Sequence, residues 1–131
     1  MGLYQSRVKS DSDKFSQNHD VMLSRVEQFL ALRRRAIELS ASSRERFEKR
    51  NQLLPRERLV DLLDPGMPFL ELNNMAGYLV EDTDPETSVP GASSITGIGY
   101  VQGIRCMVMV DDSGIKAGAM TTMSARKGMR A

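Results

Sequence analysis

The chain has 131 residues, of which 40 % are hydrophobic and 27 % are charged. This length suits one modest domain, and this composition excludes wholesale disorder. The net charge of +1 conceals an asymmetry, because residues 1–58 carry 13 Lys and Arg against 8 Asp and Glu, whereas residues 59–131 carry 5 against 9. A basic, helix-prone segment therefore precedes a mildly acidic, strand-rich one.

The first predicted element is an amphipathic helix. One face has the helical spacing i, i+4, i+7, i+8 and is formed by Met22, Val26, Phe29, Leu30, Arg33 and Ile37. Asn18 or Asp20 is a candidate cap, because a short side-chain oxygen accepts hydrogen bonds from the free N–H groups of the first turn. No Gly or Pro follows for some distance, so we expect the helix to continue to about Arg50.

The stretch LLPRERLVDLLDPG predicts a second helix. Pro55 suits its first turn, where the missing N–H costs nothing. Leu59, Leu62 and Leu63 form an apolar stripe, and Asp-Pro-Gly ends the helix. The following PFLEL predicts a short extended run, and residues 81–94, which contain two prolines and many acidic and small residues, predict a loop.

A β-hairpin is predicted next. Residues 95–101 are β-branched and punctuated by glycine, and Gln102-Gly103 supplies a two-residue turn. The residues that alternate on one face of the return strand are Ile104, Cys106, Val108 and Val110. Met107 and Met109 make the other face apolar too, which is typical of a strand covered on both sides. We expect that cover to come from a larger fold than this chain supplies.

The remaining reactive residues favour structural roles. Cys106 is the only cysteine, so the sequence excludes an intramolecular disulfide, and its place among core positions favours packing over a reactive thiol. His19, the only histidine, is expected to be exposed. Asp111-Asp112 lacks further metal ligands, so we expect it to end the strand before a helix that starts from Ala119. No apolar run approaches the ~18 residues of a membrane span, and the expected location is cytoplasmic.

Four stretches carry a resemblance to a known family: LLPRERLVDLLDPGMPFLEL, AGY, ITGIGYVQGIRCMVMVDDSGIKAG and ARKGMRA. The chain resembles the opening of the carboxyltransferase (β) subunit of biotin-dependent acyl-CoA carboxylases, and most of all the methylcrotonyl-CoA and geranyl-CoA carboxylase branch. The resemblance implies an α/β fold, the N-terminal part of a crotonase-like domain of ββα superhelical turns preceded by N-terminal helices. It implies a helical lead-in over residues 1–52 and an incomplete carboxyltransferase domain over residues 53–131.

The resemblance also implies a reaction, in which a carboxyl group moves from carboxybiotin to a branched, unsaturated acyl-CoA. Backbone N–H groups at glycine-rich turns stabilise the developing anions in such enzymes. These glycines lie beyond the position of Ala131, so no catalytic residue is expected here and the 131 residues alone should be inactive. Biotin would be carried on a separate α subunit with biotin carboxylase, the β subunits would form a hexamer, and no metal is implied.

Two acyl-CoA-binding segments follow from the resemblance. Lys116, Ala117 and Gly118 occupy the strand-to-helix turn along the acyl-CoA cleft, where the family usually has Lys-Gly-Gly. The alternative is a small-residue turn that lets helix and strand pack closely. Ala117 departs from the family pattern, and a Cβ at a position of positive φ costs on the order of 1 kcal/mol.

The final helix carries the second segment. Arg126 and Lys127, with Arg130 nearby, could contact CoA phosphates, and the alternative is a solvated face. Gly128 departs from the family, which usually has a larger residue there, and glycine inside a helix costs about 1 kcal/mol relative to alanine.

Two other functions remain open from the residues. The chain could be a non-catalytic interaction module that binds full-length carboxylase subunits. The basic triplet Arg33-Arg34-Arg35 could instead belong to a nucleic-acid binder, although one triplet without interleaved aromatic residues is weak support, and we expect no nucleic-acid partner.

Overall fold

The computed structural model describes residues 6–131 of the chain. The chain divides into two compact units, Met1–Ala31 and Leu32–Ala131, and helix α1 (Asp13–Ala41) includes residues of both. The predicted start of this helix at Asn18 or Asp20 is wrong. The Oγ of Ser12 accepts a hydrogen bond of 3.3 Å from the N–H of Phe15, so the first turn is capped earlier.

The apolar face predicted for α1 is present, but within the first unit it is uncovered. The exposed fractions are 63 % for Met22, 44 % for Val26, 38 % for Phe29 and 45 % for Leu30. His19 is exposed as predicted, and its ring stacks on Phe15 at a centroid distance of 6.3 Å. Burial of this face would have to come from outside the unit.

The prediction of a continuous helix to Arg50 is wrong. Helix α1 ends at Ala41, and a separate short helix α2 spans Arg44–Glu48. At the break, the Oγ of Ser42 donates to the carbonyl of Leu39 at 2.7 Å, and the Oγ of Ser43 donates to the carbonyl of Gly114 at 2.6 Å. Serine hydroxyls compete with the helical backbone for hydrogen bonds, so a helix can end here without Gly or Pro.

Helix α3 (Pro55–Leu62) begins at Pro55, as predicted. The carboxylate of Glu57 accepts a hydrogen bond of 2.9 Å from the N–H of Leu54, which satisfies a free donor at the helix start. The predicted apolar stripe is narrower than expected. Leu59 is 5 % exposed and Leu63 packs against the core, whereas Leu62 is 49 % exposed.

Three antiparallel strands form one sheet in the order β1-β2-β3. They span Leu70–Leu72, Ser94–Val101 and Ile104–Asp111. The predicted hairpin is confirmed, since Gln102 and Gly103 both adopt positive φ, 53° and 75°, as a two-residue turn requires. The carboxylate of Asp64 accepts hydrogen bonds from both of their N–H groups, at 2.8 and 2.7 Å, and so ties the turn to the end of α3.

The hydrophobic core lies on one face of this sheet. Its residues are Leu59, Ile95 and Val108, with Leu63, Phe69 and Val110 packed against them. On the opposite face Leu70, Met107 and Met109 are 60 %, 41 % and 53 % exposed. Residues 6–131 therefore bury one side of the sheet well and leave part of the other side uncovered, as the two-sided apolar pattern predicts for part of a larger fold.

Two helices follow β3. Helix α4 (Ser113–Lys116) was not predicted, and Asp112 caps it by accepting a hydrogen bond of 3.2 Å from the N–H of Gly114. Helix α5 (Thr122–Arg130) starts three residues after the predicted Ala119. The reason is the cap at Thr121, whose Oγ1 accepts from the N–H of Ser124 at 3.1 Å.

Gly97 tests how tightly β2 packs. A Cβ at this position would lie 2.4 Å from Cζ of Phe69 and 2.6 Å from the carbonyl oxygen of Leu70, so Gly97→Ala should lower the free energy of unfolding by about 2 kcal/mol. Urea denaturation followed by circular dichroism measures this.

Gly128→Ala is the control, because only the flexible end of Met109 lies near its Cβ and alanine favours a helix by up to about 1 kcal/mol. Equal destabilisation by both variants would contradict the packing of β2.

Candidate functional site

The turn predicted to line the acyl-CoA cleft joins two helices in the structure. Lys116 ends α4, and Ala117 and Gly118 both have positive φ, 52° and 83°. The interpretation as a strand-to-helix turn is therefore corrected, because α4 intervenes. Ala117 does adopt the left-handed conformation that costs a residue with a Cβ on the order of 1 kcal/mol.

Lys116 is an exposed cation that already has a partner. Its Nζ donates to the carboxylate of Glu81, and this hydrogen bond lowers the pKa of Glu81 below its ordinary value, with a further contribution from the side chain of Thr121. Both side chains also line a cavity of about 200 Å³ whose wall includes Thr121 and Met123. An anion that uses Lys116 would have to compete with Glu81.

Helix α5 forms one wall of a larger, more open cleft of about 600 Å³. Its lining residues are Asn73, Met75, Ala76, Met123, Arg126, Lys127, Met129 and Arg130. Arg126 and Arg130 are exposed, and Met123 lines both this cleft and the cavity beside Lys116. Guanidinium groups beside an apolar wall suit a ligand with an anionic part and a hydrophobic part.

Lys127 differs from its neighbours because it is buried, with 3 % of its surface exposed. Its Nζ donates to the carbonyls of Gly91 at 3.2 Å and Ser94 at 2.5 Å. Burial lowers the pKa of Lys127, although the negative charge of Glu71 opposes this effect. A phosphate contact and a solvated face both require an accessible ammonium group, which the structure does not provide.

Glu71 lies at the centre of a buried ionic cluster that the sequence did not predict. Arg56 binds its carboxylate with two hydrogen bonds of 3.0 and 3.2 Å, and Arg33 approaches to 3.5 Å. Burial alone would raise the pKa of Glu71, but the hydrogen bond from Arg56 and the charges of Arg56, Arg33 and Lys127 lower it below the ordinary value. The only sequence signal was a charged residue in the middle of the apolar LEL strand.

A second buried polar contact joins α1 to the end of β3. The Oγ of Ser40 donates to the carboxylate of Asp112 at 2.6 Å, and the two residues are 1 % and 2 % exposed. The prediction that Asp112 ends the strand is confirmed. Across residues 6–131, no group of three or more His, Cys, Asp or Glu is placed to hold a metal ion.

The basic triplet does not form one charged surface. Arg33 approaches Glu71, and Arg35 donates to the carbonyls of Pro85 and Ser88, both at 2.8 Å. Only Arg34 is left exposed, which removes the structural basis for the nucleic-acid interpretation.

Cys106 is half-buried on β3, and its Sγ donates to the carbonyl of Ile104 at 3.1 Å. Ile104, which was expected to share the core face, is 68 % exposed because it lies at the hairpin end of the strand. In the part of the chain that the structure describes, no helix is long and apolar enough to cross a membrane.

The profile of the carboxyl transferase domain family matches residues 46–131. The chain belongs to this family. Its sequence is 44 % identical over 90 residues to the biotin-dependent 3-methylcrotonyl-coenzyme A carboxylase beta1 subunit of Mycobacterium tuberculosis, covering 68 % of the chain and 16 % of that protein. It is 36 % identical over 135 residues to the mitochondrial methylcrotonoyl-CoA carboxylase beta chain of Arabidopsis thaliana, covering all of the chain and 22 % of the relative.

Solved structures show the same relationship. The crystal structure of the P. aeruginosa geranyl-CoA carboxylase beta subunit matches with a TM-score of 0.86 and 40 % identity, over 98 % of the chain and 24 % of that subunit. The transcarboxylase 12S structure, at 24 % identity and a TM-score of 0.65, shares the fold. The predicted fold class, the N-terminal part of a crotonase-like carboxyltransferase domain, is confirmed. The chain spans less than a quarter of the length of these relatives.

The Glu71 cluster should make the stability of the carboxyl transferase fold fall at low pH. Because the folded-state pKa of Glu71 is depressed, its contribution is present above the ordinary glutamate pKa and is lost as the pH falls through the folded-state value. Glu71→Gln should lower the free energy of unfolding at neutral pH by about 3 kcal/mol, since it leaves Arg56 without its charge partner.

Denaturation curves between pH 3 and 7 measure both effects, with the exposed Glu86→Gln as the control. We expect a shallower loss of stability on acidification in Glu71→Gln than in the wild type. An unchanged pH slope would show that Glu71 does not carry this dependence.

Proposed function

We propose that the chain forms the N-terminal part of the carboxyltransferase of a biotin-dependent acyl-CoA carboxylase. The observation that carries the proposal is the likeness to the geranyl-CoA carboxylase beta subunit over nearly the whole chain. The relatives named as methylcrotonoyl-CoA carboxylase chains support the same branch. The substrate would be a branched, unsaturated acyl-CoA such as methylcrotonyl-CoA or geranyl-CoA.

In the proposed reaction, the N–C bond of carboxybiotin would break, a C–C bond would form at the carbon activated by the acyl-CoA thioester, and the proton that this carbon loses would pass to the biotin nitrogen. Biotin supplies the carboxyl group, and we assign no biotin contact to any residue of this chain. The anion-stabilising glycine turns lie, by resemblance, beyond the matched region. The part of the work proposed for these 131 residues is therefore to bind and orient the acyl-CoA.

Two groups of residues would share that work. Lys116, Ala117 and Gly118 would line one end of the acyl-CoA cleft. The cavity beside Lys116 and the α5 cleft share the lining residue Met123. Arg126 would supply a positive charge for a CoA phosphate. The buried ammonium group of Lys127 supports a different role, in which it holds α5 against the carbonyls of Gly91 and Ser94.

The proposed partners are those of such carboxylases. A separate α subunit would bring biotin carboxylase and the biotin carrier, and further β subunits would complete a hexamer. The cytoplasmic location stays a prediction, because the relatives include bacterial and mitochondrial proteins.

The isolated 131-residue chain should bind CoA without catalysing carboxyl transfer. We expect no carboxylated product from methylcrotonyl-CoA and carboxybiotin, but heat released on titration with CoA in a calorimeter. Arg126→Gln should weaken CoA binding roughly tenfold, because a charge-assisted hydrogen bond is lost.

Arg105→Gln is the matched control, since Arg105 is exposed on β3 and lines neither cleft. Carboxylated product from the chain alone would contradict the proposed division of labour. Absence of CoA binding would contradict the proposed binding role.

The uncovered face of the sheet favours a second candidate function, a non-catalytic interaction module. Met107 and Met109 of β3 and Leu70 of β1 are exposed on the face opposite the core, and the half-buried Ile98 of β2 lies between Leu70 and Met107. Exposed contiguous apolar side chains of this kind are typical of a protein contact surface. The occupant would be a full-length carboxylase β subunit.

Size-exclusion chromatography with a full-length β subunit tests this candidate. Co-elution that Met107→Asp abolishes would support it, because a buried unpaired charge opposes association. Met120→Asp, at a position that is 80 % exposed outside the sheet, is the control. Separate elution of the two wild-type proteins would count against the module.

A further inference from the structure

A third, smaller cavity lies beside the left-handed residue Ala117. It has a volume of about 130 Å³ and is lined by Arg46, Phe47, Arg50, Gln52, Ser113 and Ala117. Four of these residues come from α2 and the segment after it, and the other two are Ser113, the first residue of α4, and Ala117, which follows its last residue. The cavity therefore joins the basic helical segment to the turn already proposed to bind acyl-CoA.

Only some of the positively charged residues near this cavity are paired with a carboxylate. Of the four cations in residues 44–50, two are paired with carboxylates: Arg44 with Glu57 at 2.6 Å and Lys49 with Glu45 at 2.7 Å. Within the described residues, no carboxylate lies within 4 Å of the guanidinium groups of Arg46 or Arg50. The two uncompensated cations are the two that line the cavity.

Arg46 is also held in place. One of its terminal nitrogens donates to the carbonyl of Ser113 at 2.7 Å, and its guanidinium lies 5.4 Å from the ring centroid of the buried Phe47. A guanidinium has five N–H donors, so one bond to a carbonyl leaves others for an anion. A cation ordered in advance loses less conformational entropy when it binds a ligand.

We propose that this cavity is an anion subsite that binds a phosphate group through Arg46 and Arg50, with the Gln52 amide as a further donor. The planar fork of arginine matches the geometry of phosphate oxygens. The phosphate belongs to the acyl-CoA substrate, an assignment that rests on the proposed function. Ala117 places the subsite next to the Lys116–Gly118 turn, so one ligand can reach both.

The chain offers a closely matched pair of variants for the test. Arg50→Gln removes an uncompensated cation that lines the cavity, whereas Lys49→Gln removes a neighbouring cation that is paired with Glu45. Both exposed residues change to the same side chain with the same loss of charge. Calorimetric titration of the 131-residue chain with CoA, dephospho-CoA and pyrophosphate is the measurement, with circular dichroism to verify the fold.

We expect Arg50→Gln to weaken CoA binding about tenfold and Lys49→Gln to change it less than twofold. CoA carries a 3′-phosphate and a diphosphate, and dephospho-CoA lacks the 3′-phosphate. If Arg50→Gln does not weaken the binding of dephospho-CoA, Arg50 binds the 3′-phosphate. If Arg50→Gln weakens the binding of dephospho-CoA as it weakens that of CoA, Arg50 binds the diphosphate. Either result supports the subsite.

The remaining outcomes separate the two proposals. CoA binding that is equally strong in Arg50→Gln and Lys49→Gln overturns the subsite alone. Pyrophosphate binding that depends on Arg50, without any CoA binding, supports the anion site and overturns the acyl-CoA function. Absence of binding by both ligands overturns both.

Discussion

The fold of residues 32–131 depends on the charge cluster around Glu71. A carboxylate in the first strand is tolerated inside the structure only because Arg56 of α3 binds it with two hydrogen bonds and Arg33 of α1 lies near it. Lys127 of α5 contributes a further positive charge and donates to carbonyls at the start of β2. The buried anion thus ties α1 and α3 to the sheet, and Lys127 ties α5 to it through the carbonyl of Ser94.

The cluster also accounts for the position of the candidate binding surfaces. Because the side chain of Lys127 points from α5 towards the carbonyls of Gly91 and Ser94, the neighbouring Arg126 and Arg130 remain exposed along the 600 Å³ cleft. Lys116 lines the 200 Å³ cavity, which shares Met123 with this cleft, and the next residue, Ala117, lines the cavity of Arg46 and Arg50. On α5, the buried Lys127 has a structural role, whereas the exposed Arg126 and Arg130 are candidate binding residues.

The uncovered face of the sheet agrees with the size of the relatives. Met107 and Met109 are apolar and exposed, while the opposite face is packed by α3 and Phe69. The chain spans less than a quarter of the proteins that it matches. Apolar area of the sheet is therefore open in these residues, and the same surface is the reason for the interaction-module candidate.

The sequence by itself determined the family and those local elements that are set by backbone geometry over a few residues. Pro55, the Gln102-Gly103 turn and the alternation along β3 act through backbone geometry over a few residues, so they can be recognised without a tertiary structure. The break after Ala41, the burial of Lys127 and the uncompensated charge of Arg46 were decided only by the tertiary structure. Each depends on a partner distant in sequence, such as Gly114 for Ser43 and Ser94 for Lys127, and a pattern read along the chain cannot indicate which distant groups meet.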